Sequence, residues 1–147
     1  MRQENKDLLF KDLSSRLTYR VKFPIYWWNE ETQTDEEIVA TLYSINTDGY
    51  CEIFDHDGTV YIDNIKPYLR PLSSMTDEEI NKVQTILGGA IEVRNDFINN
   101  IDTEVHTISF LELQAIFDFL NKNHFDYNEL IPKGLAVEAP KDIYNLN

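Results

Sequence analysis

The apolar positions near the start of the chain repeat with a helical period. Leu9, Leu13 and Leu17 recur every four residues, with charged residues between them. This spacing places the three side chains on one face of a helix, and it predicts a short amphipathic helix over residues 6–17.

A strand-like pattern replaces the helical one near residue 20. Residues 20–28 and 38–45 are rich in aromatic and β-branched side chains and predict two strands, joined by a polar, acidic loop over residues 29–37. Pro24 interrupts the first strand. Because proline has no N–H to donate to a ladder, we expect this strand to lie at a sheet edge or to be bulged.

Two more strands are predicted over residues 50–54 and 59–62, on either side of an Asp-Gly turn at residues 55–58. A turn at residues 46–49 precedes them, with Gly49 suited to a left-handed conformation. Four sequential antiparallel strands form a twisted meander. It either stays open or closes into a small SH3-like barrel.

The second half of the chain has helical signals. Prolines at 67 and 71 predict an extended bridge, after which Thr76 and Glu79 form a capping box that opens a helix ending at Gly88-Gly89. A second capping box at Ser109 opens a helix to about Lys122, whose apolar residues cover more than one face and predict the most buried helix. A short helical piece is expected at 128–131, whereas residues 90–108 have no clear pattern.

These elements predict an α+β fold in a single domain over residues 1–147. It combines an antiparallel β-meander of about four strands with an N-terminal helix and two to three C-terminal helices. The expected parts are a sheet half, an extended bridge, a helical half and a polar, fraying tail, over residues 18–63, 64–75, 76–138 and 139–147.

Composition fits a packed domain, since 42% of the 147 residues are hydrophobic and 12% are aromatic. No run of about 18 consecutive apolar residues occurs, and no apolar stretch follows the polar N-terminus, so neither a membrane span nor a signal peptide is expected. The single cysteine, Cys51, is expected to be an inert core thiol and suits a reducing compartment. We therefore expect a cytoplasmic protein.

The charge is strongly negative and unevenly distributed. Residues 1–22 carry six basic and three acidic side chains, whereas residues 23–147 carry seven basic and 23 acidic ones, a formal charge of −16. Such a surface repels phosphate, so neither direct nucleic-acid binding nor docking on an anionic membrane is expected. The acidic surface favours solubility, attraction to a basic protein or imitation of nucleic-acid charge.

Motifs for catalysis or cofactor binding are missing from the sequence. There is no nucleophile elbow, no glycine-rich nucleotide loop and no zinc-ligand spacing. Asp55-His56-Asp57-Gly58 lacks the remaining ligands of a calcium loop and is interpreted as a hairpin turn. We expect no enzyme activity, no cofactor and no metal.

Tyr26, Trp27 and Trp28 are the most informative candidate residues. Adjacent side chains of a strand face opposite sides, so either Trp27 is buried with Tyr26 and Trp28 exposed, or Trp28 lies under a helix and completes the core. Covered sheet faces are common, which favours the second arrangement. In the first, an aromatic anchor with an anionic rim would bind a partner through Tyr26, Trp28, Glu30, Glu31, Asp35, Glu36 and Glu37.

Two long blocks, residues 62–76 and 119–140 without 128 and 129, resemble a group of small uncharacterised proteins. Phages, prophages and mobile elements of gut Bacteroidales bacteria encode these proteins. Residues 6–13 and 41–45 are also similar to the group. It has no established activity, so no site residue is carried over. The resemblance implies a bacterial cytoplasm and a phage-related accessory role.

Three hypotheses about function follow. The first is a non-enzymatic phage or prophage accessory protein that binds a host or phage protein through its acidic surface, as an inhibitor or a nucleic-acid charge mimic. The second is a module that binds or sequesters a nucleotide-like small molecule through Arg16, Arg20, Lys22, Lys66 and Arg70. The third is a phage structural or assembly protein. The sequence leaves the oligomeric state open.

Overall fold

The computed structural model describes residues 1–54, 56–87 and 110–144. They form two compact units, one within residues 1–69 and 128–144 and the other within residues 70–87 and 110–127. The predicted α+β class is confirmed. Residues 128–138 belong to the unit that contains the sheet, so their predicted place in a helical half was wrong. The single domain stays a prediction.

The first unit holds one helix and a four-stranded antiparallel sheet in the order β1-β2-β3-β4. The sheet curls into a half-barrel, and β1 and β4 each pair with one neighbour, so of the two predicted alternatives it is open. A separate parallel pair, β5 with β6, joins residues 68–69 to residues 137–138. The element bounds are α1 Gln3–Arg16, β1 Lys22–Asn29, β2 Thr34–Ile45, β3 Tyr50–Ile53, β4 Thr59–Tyr61, β5 Tyr68–Leu69 and β6 Val137–Glu138.

The turn between β1 and β2 is shorter than predicted. The side-chain oxygen of Asn29 accepts hydrogen bonds from the N–H groups of Glu31 and Thr32, at 2.9 and 3.4 Å, and Gln33 adopts φ 54°. The chain therefore reverses within residues 30–33, and the acidic residues 35–37 lie in β2 rather than in a loop. Pairing with β1 along its full length outweighs the low strand propensity of Asp and Glu.

The core of this unit lies on the inner side of the sheet. Leu9 and Leu13 of α1 are fully buried against Phe23 of β1 and Leu42 of β2, as the helical period predicted. The turn at residues 46–49 is also confirmed, because Gly49 has φ 88° and its N–H donates to the carbonyl of Asn46 at 3.0 Å.

The C-terminal segment is held to the sheet unit, so the predicted fraying tail was wrong as far as residue 144. The Tyr144 hydroxyl accepts from the N–H of Lys22 at 2.9 Å and donates to the carbonyl of Tyr68 at 2.8 Å. The N–H of Ala139 donates to the carbonyl of Leu69 at 2.8 Å. Residues 128–131 contain a bend and a turn rather than the expected helical piece.

The second unit contains α2 (Asp77–Ile86) and α3 (Phe110–Lys122). The capping box is confirmed, since the Thr76 hydroxyl accepts from the N–H of Glu79 and the Glu79 carboxylate accepts from the N–H of Thr76. Val83, Ile116 and Leu120 are buried together. No helix in the described ranges is long and apolar enough to cross a membrane.

Helix α3 is less buried than its apolar content predicted. Ile116 and Leu120 are in the core, but Phe110 and Leu111 are 78% and 74% exposed. The apolar residues lie on several sides of the helix, and only one of these sides packs on α2. Asp55, the Gly88-Gly89 helix end, residues 90–108 and the capping residue Ser109 lie outside the described residues.

Candidate functional site

Two aromatic side chains and two carboxylates share the outer face of the β1–β2 hairpin. In the antiparallel register, Tyr26 lies directly opposite Glu37 and Trp28 directly opposite Asp35. Residues in such positions project from the same face of a sheet. Tyr26 is 73% exposed and Trp28 56% exposed. We call these four residues the acidic–aromatic surface.

The buried position favoured for Trp28 was therefore wrong, and the alternative with Trp28 and Tyr26 exposed is confirmed. The reason is the side on which α1 packs. Its leucines join the core on the inner face of the sheet, and the outer face at Trp28 is left uncovered.

Trp27 projects to the inner side and is half-buried. Its ring lies edge-on to His56, with ring centroids 5.2 Å apart. A Cβ atom added to Gly58 would lie only 3.3 Å from the Trp27 ring, so the β3–β4 turn passes close to it. Trp27 thus fills the inner end of the hairpin, whereas Trp28 faces outward.

The other predicted partner-binding residues are not on the same face. Glu30 and Glu31 lie in the β1–β2 turn at the rim of the surface. Glu36 is opposite Trp27, hence on the other face, where its carboxylate accepts from the Thr32 hydroxyl at 3.2 Å. The structure thus brings together four of the seven residues on one face and leaves three at its edge or behind it.

The acidic side chains of this surface have no basic partner. Among the described residues, no Lys or Arg forms an ion pair with Asp35 or Glu37, and both are exposed. Their negative charges are therefore uncompensated within this part of the molecule, and a cationic group from outside would be attracted.

More apolar side chains continue the outer face across β2 and β3, and they were not among the binding residues predicted from the sequence. Val39, Tyr43 and Tyr50 are 47%, 56% and 51% exposed. The alternation of side chains along β2 could have predicted the outward positions, because a strand that buries Ala40 and Leu42 must turn Val39 and Tyr43 outward. The outer face therefore carries carboxylates and aromatic rings at the hairpin end, and more exposed apolar side chains beyond it.

A cleft of about 590 Å³ lies between β1 and β4, on the open side of the half-barrel. Its apolar lining includes Ile25, Trp27 and Val60, and its polar lining includes Asp63 and Lys66. The volume is in the range of small-molecule sites, about 300–1,000 Å³.

The cationic residues proposed for a nucleotide-like ligand do not form one site. Arg16 is fully buried and bonds to Asp12 at 2.8 Å, so its predicted ligand role was wrong. Arg20 lies over the Phe54 ring at 5.2 Å.

The remaining cations also have separate surroundings. The Lys22 amine donates to the carbonyl of Ile143 at 3.2 Å. Arg70, in the second unit, donates two bonds to Glu79 at 2.8 Å. Of the five cations, only Lys66 lines the cleft.

Two titratable groups of the sheet unit, Lys6 and Cys51, have structural roles. The amine of Lys6 donates to the Tyr61 hydroxyl and lies 4.4 Å from the centre of its ring, and this hydrogen bond raises the pKa of Lys6. Burial raises the pKa of the Cys51 thiol to about 11, which leaves it protonated and unreactive at neutral pH. Within the described ranges, no three His, Cys, Asp or Glu side chains are grouped closely enough to hold a metal ion.

The chain was compared with protein-family models, with curated proteins and with solved structures, and none of them matched. Function is therefore inferred from the geometry of the sheet unit. Exposed aromatic rings beside uncompensated carboxylates can bind a cationic protein surface, because the rings supply contact area and the carboxylates supply attraction.

Proposed function

We propose that this chain is a non-enzymatic binding protein whose acidic–aromatic surface binds a basic surface of another protein. One observation carries the proposal: Tyr26 and Trp28 are exposed directly opposite Glu37 and Asp35 on a single sheet face. Aromatic side chains are enriched among residues that dominate binding energy. Opposite charge speeds association and selects the partner.

The resemblance to phage, prophage and mobile-element proteins supports a host or phage protein as the partner, in the bacterial cytoplasm. A partner that normally binds nucleic acid has the basic surface that this proposal needs. Binding it would make the chain an inhibitor that mimics nucleic-acid charge. The formal charge of −13 supports this proposal and opposes direct binding to nucleic acid.

Capture from a bacterial lysate, with and without phage infection, tests the proposal with three baits. They are the native chain, an Asp35→Asn/Glu37→Gln variant, and an Asp48→Asn/Glu138→Gln control that removes two exposed charges elsewhere in the same unit. We expect the native chain and the control to retain one stoichiometric basic protein at low salt and to lose it at high salt. The site variant should retain much less.

Equal capture by the site variant and the control would contradict a role for the acidic–aromatic surface. Capture that does not change with salt would contradict the electrostatic mechanism. A Trp28→Ala variant with both carboxylates intact separates the two contributions. At the salt concentrations where the native chain retains the partner, it should weaken capture by a factor that does not change with salt, because the lost contact area is not screened.

The cleft between β1 and β4 favours a second candidate function, the binding of a small anionic ligand. Its volume of about 590 Å³ and apolar lining fit such a ligand, and Lys66 is placed to meet a phosphate. A thermal-shift panel of nucleotides tests it with the native chain, Lys66→Ala and a Lys141→Ala control. Stabilisation that is lost only in Lys66→Ala would support this function, and no stabilisation at saturating nucleotide would contradict it.

A further inference from the structure

In the described part of the chain, one edge of β1 has no hydrogen-bonded neighbouring strand, and the sheet register shows which backbone groups lie on this free edge. The N–H of Leu42 donates to the carbonyl of Val21 at 3.0 Å. Hydrogen-bonding directions alternate along an antiparallel strand, so the odd-numbered residues of β1 bond to β2. The N–H and C=O groups of the even-numbered residues, from Lys22 to Trp28, therefore point away from the sheet.

The usable part of this edge is short and well defined. At one end the Tyr144 hydroxyl accepts from the N–H of Lys22 and lies 3.4 Å from its carbonyl. Pro24 has no N–H. The outward backbone groups of Tyr26 and Trp28 have no hydrogen-bond partner within the described part of the chain. Four groups, two donors and two acceptors, are thus without a hydrogen bond among the described residues and are available to pair with an added strand.

The same edge opens onto the cleft. β1 and β4 both line it, and β4 is the other edge strand of the sheet. The N–H of Ile62 donates to the carbonyl of Gly49 at 2.9 Å, so the groups of Thr59 and Tyr61 point outward from β4. As far as the structure describes the chain, two strand edges without a hydrogen-bonded neighbour therefore line the open side of the half-barrel, with Ile25 and Trp27 on the apolar wall between them.

We infer that a basic, extended segment of the partner adds as an antiparallel strand to the free edge of β1. This inference rests on the proposed function. The added backbone bonds to Tyr26 and Trp28. Residues paired across two strands share a face, so side chains opposite Tyr26 and Trp28 lie on the outer face and alternate side chains enter the cleft. The fitting segment alternates basic with apolar residues.

Charge decides between this occupant and a second copy of the chain. Each copy has a formal charge of −13, and edge-to-edge pairing would bring two acidic hairpins together. Like charges at an interface oppose pairing. A segment that carries lysine or arginine is attracted instead, because the edge borders the uncompensated carboxylates of Asp35 and Glu37 and the exposed ring of Trp28.

The first test uses calorimetry to measure the Kd of the native chain for two short synthetic peptides of the same composition. In one, lysine and valine alternate, and in the other the lysines are grouped. We expect the alternating peptide to bind about tenfold more tightly or better, since only it presents lysine outside and valine inside. Equal affinity, or no binding by either, would overturn strand addition. It would leave the proposed function to be decided by the lysate capture.

The second test isolates the backbone hydrogen bonds. Tyr26→Pro and Tyr26→Ala both remove the ring, but only proline removes the outward N–H, as Pro24 already does two residues earlier. The proline variant should bind the alternating peptide several-fold more weakly than the alanine variant. Equal affinity for the two variants would overturn strand addition.

Peptide N-methylation gives a result on the native chain if Tyr26→Pro does not fold. Methylating the lysine N–H groups, which face β1, should lower the affinity about tenfold. Methylating the valine N–H groups, which face away from β1, should lower it less. Equal losses would overturn the arrangement, as would a stable dimer of the unliganded chain in light scattering.

Discussion

Arg16 donates two hydrogen bonds to the carboxylate of Asp12, one turn earlier in α1, at 2.8 and 2.9 Å. Neither side chain is exposed by more than 1%. The side-chain amide of Asn128 donates a third bond to Asp12, at 2.8 Å, and so joins the C-terminal segment to the helix. An arginine that the sequence suggested for ligand binding is thus part of the interior of the fold.

Removing one member of this buried pair should be costly. Asp12→Ala leaves the Arg16 charge buried without its carboxylate, and we expect the free energy of unfolding to fall by about 3 kcal/mol or more. Asp7→Ala, at an exposed position of the same helix, should change it by no more than about 0.5 kcal/mol. Urea denaturation of both variants measures the difference, and similar small losses would contradict the structural role of Asp12.

The two tryptophans should differ in fluorescence. Trp28→Phe leaves only half-buried Trp27, and Trp27→Phe leaves only exposed Trp28. We expect the protein that retains Trp27 to emit at shorter wavelength and to be quenched more slowly by acrylamide, because its ring packs beside His56. The reverse order would contradict the placement of the acidic–aromatic surface.

The Tyr144 hydroxyl should contribute to stability. Tyr144→Phe leaves the N–H of Lys22 and the carbonyl of Tyr68 without this partner, and the loss should be about 1–3 kcal/mol. Tyr43→Phe is a matched control, because Tyr43 is exposed on the outer face. Amide hydrogen exchange at Lys22 should become faster in Tyr144→Phe alone. Unchanged exchange would contradict the described attachment of the C-terminal segment.

The Glu79 carboxylate should make the second unit sensitive to acid. Burial disfavours its ionised form, but hydrogen bonds from Arg70 and Thr76 outweigh burial, and the pKa of Glu79 lies below its ordinary value of 4.5. A lowered pKa stabilises the folded state above pH 4.5, and this contribution is lost as the pH falls through the folded-state pKa.

The acid sensitivity is measured by unfolding the native chain and Glu79→Gln at several pH values below 5. We expect the difference in free energy of unfolding between them to shrink as the pH falls. Glu78→Gln, which changes an exposed neighbour in the same helical turn, serves as the control. A difference that does not depend on pH would contradict the role of ionised Glu79.

The Cys51 thiol should react slowly in the folded protein. It is fully buried, and burial raises its pKa from 9.0 to about 11. At pH 8 we expect a thiol reagent to label the urea-unfolded chain much faster than the native chain. Ionisation of this thiol favours the unfolded state between pH 9 and 11, so its effect on stability is a loss as the pH rises. Equal labelling rates would contradict the buried position.

Local patterns in the sequence were sufficient to predict much of the sheet unit and the start of α2. The four-residue spacing of the leucines predicted α1, and the turn residues around Gly49 predicted a reversal that the structure confirms. The Thr76–Glu79 capping box was equally readable, because both partners lie within four residues of each other. Such signals depend on near neighbours in the chain and need no knowledge of the fold.

The parts that the sequence did not predict depend on residues far apart in the chain. Tyr144 reaches Lys22, and Asn128 reaches Asp12, across more than 110 residues in each case. From the sequence alone, Arg16 is expected to be a solvated charge, because its burial depends on how α1 packs. The polar C-terminal segment is expected to fray, because the hydrogen bonds of Tyr144 form only when the chain is folded. Long-range contacts of this kind leave no periodic signal.

The sequence by itself determined the acidic charge, the α+β class, the order of the four strands of the meander and the alternation that separates Trp27 from Trp28. Only the tertiary structure decided which tryptophan faces outward, because that depends on the face of the sheet that α1 covers. It also decided that β1 and β4 do not pair with each other across the cleft, since closure of the barrel depends on the curl of the whole sheet.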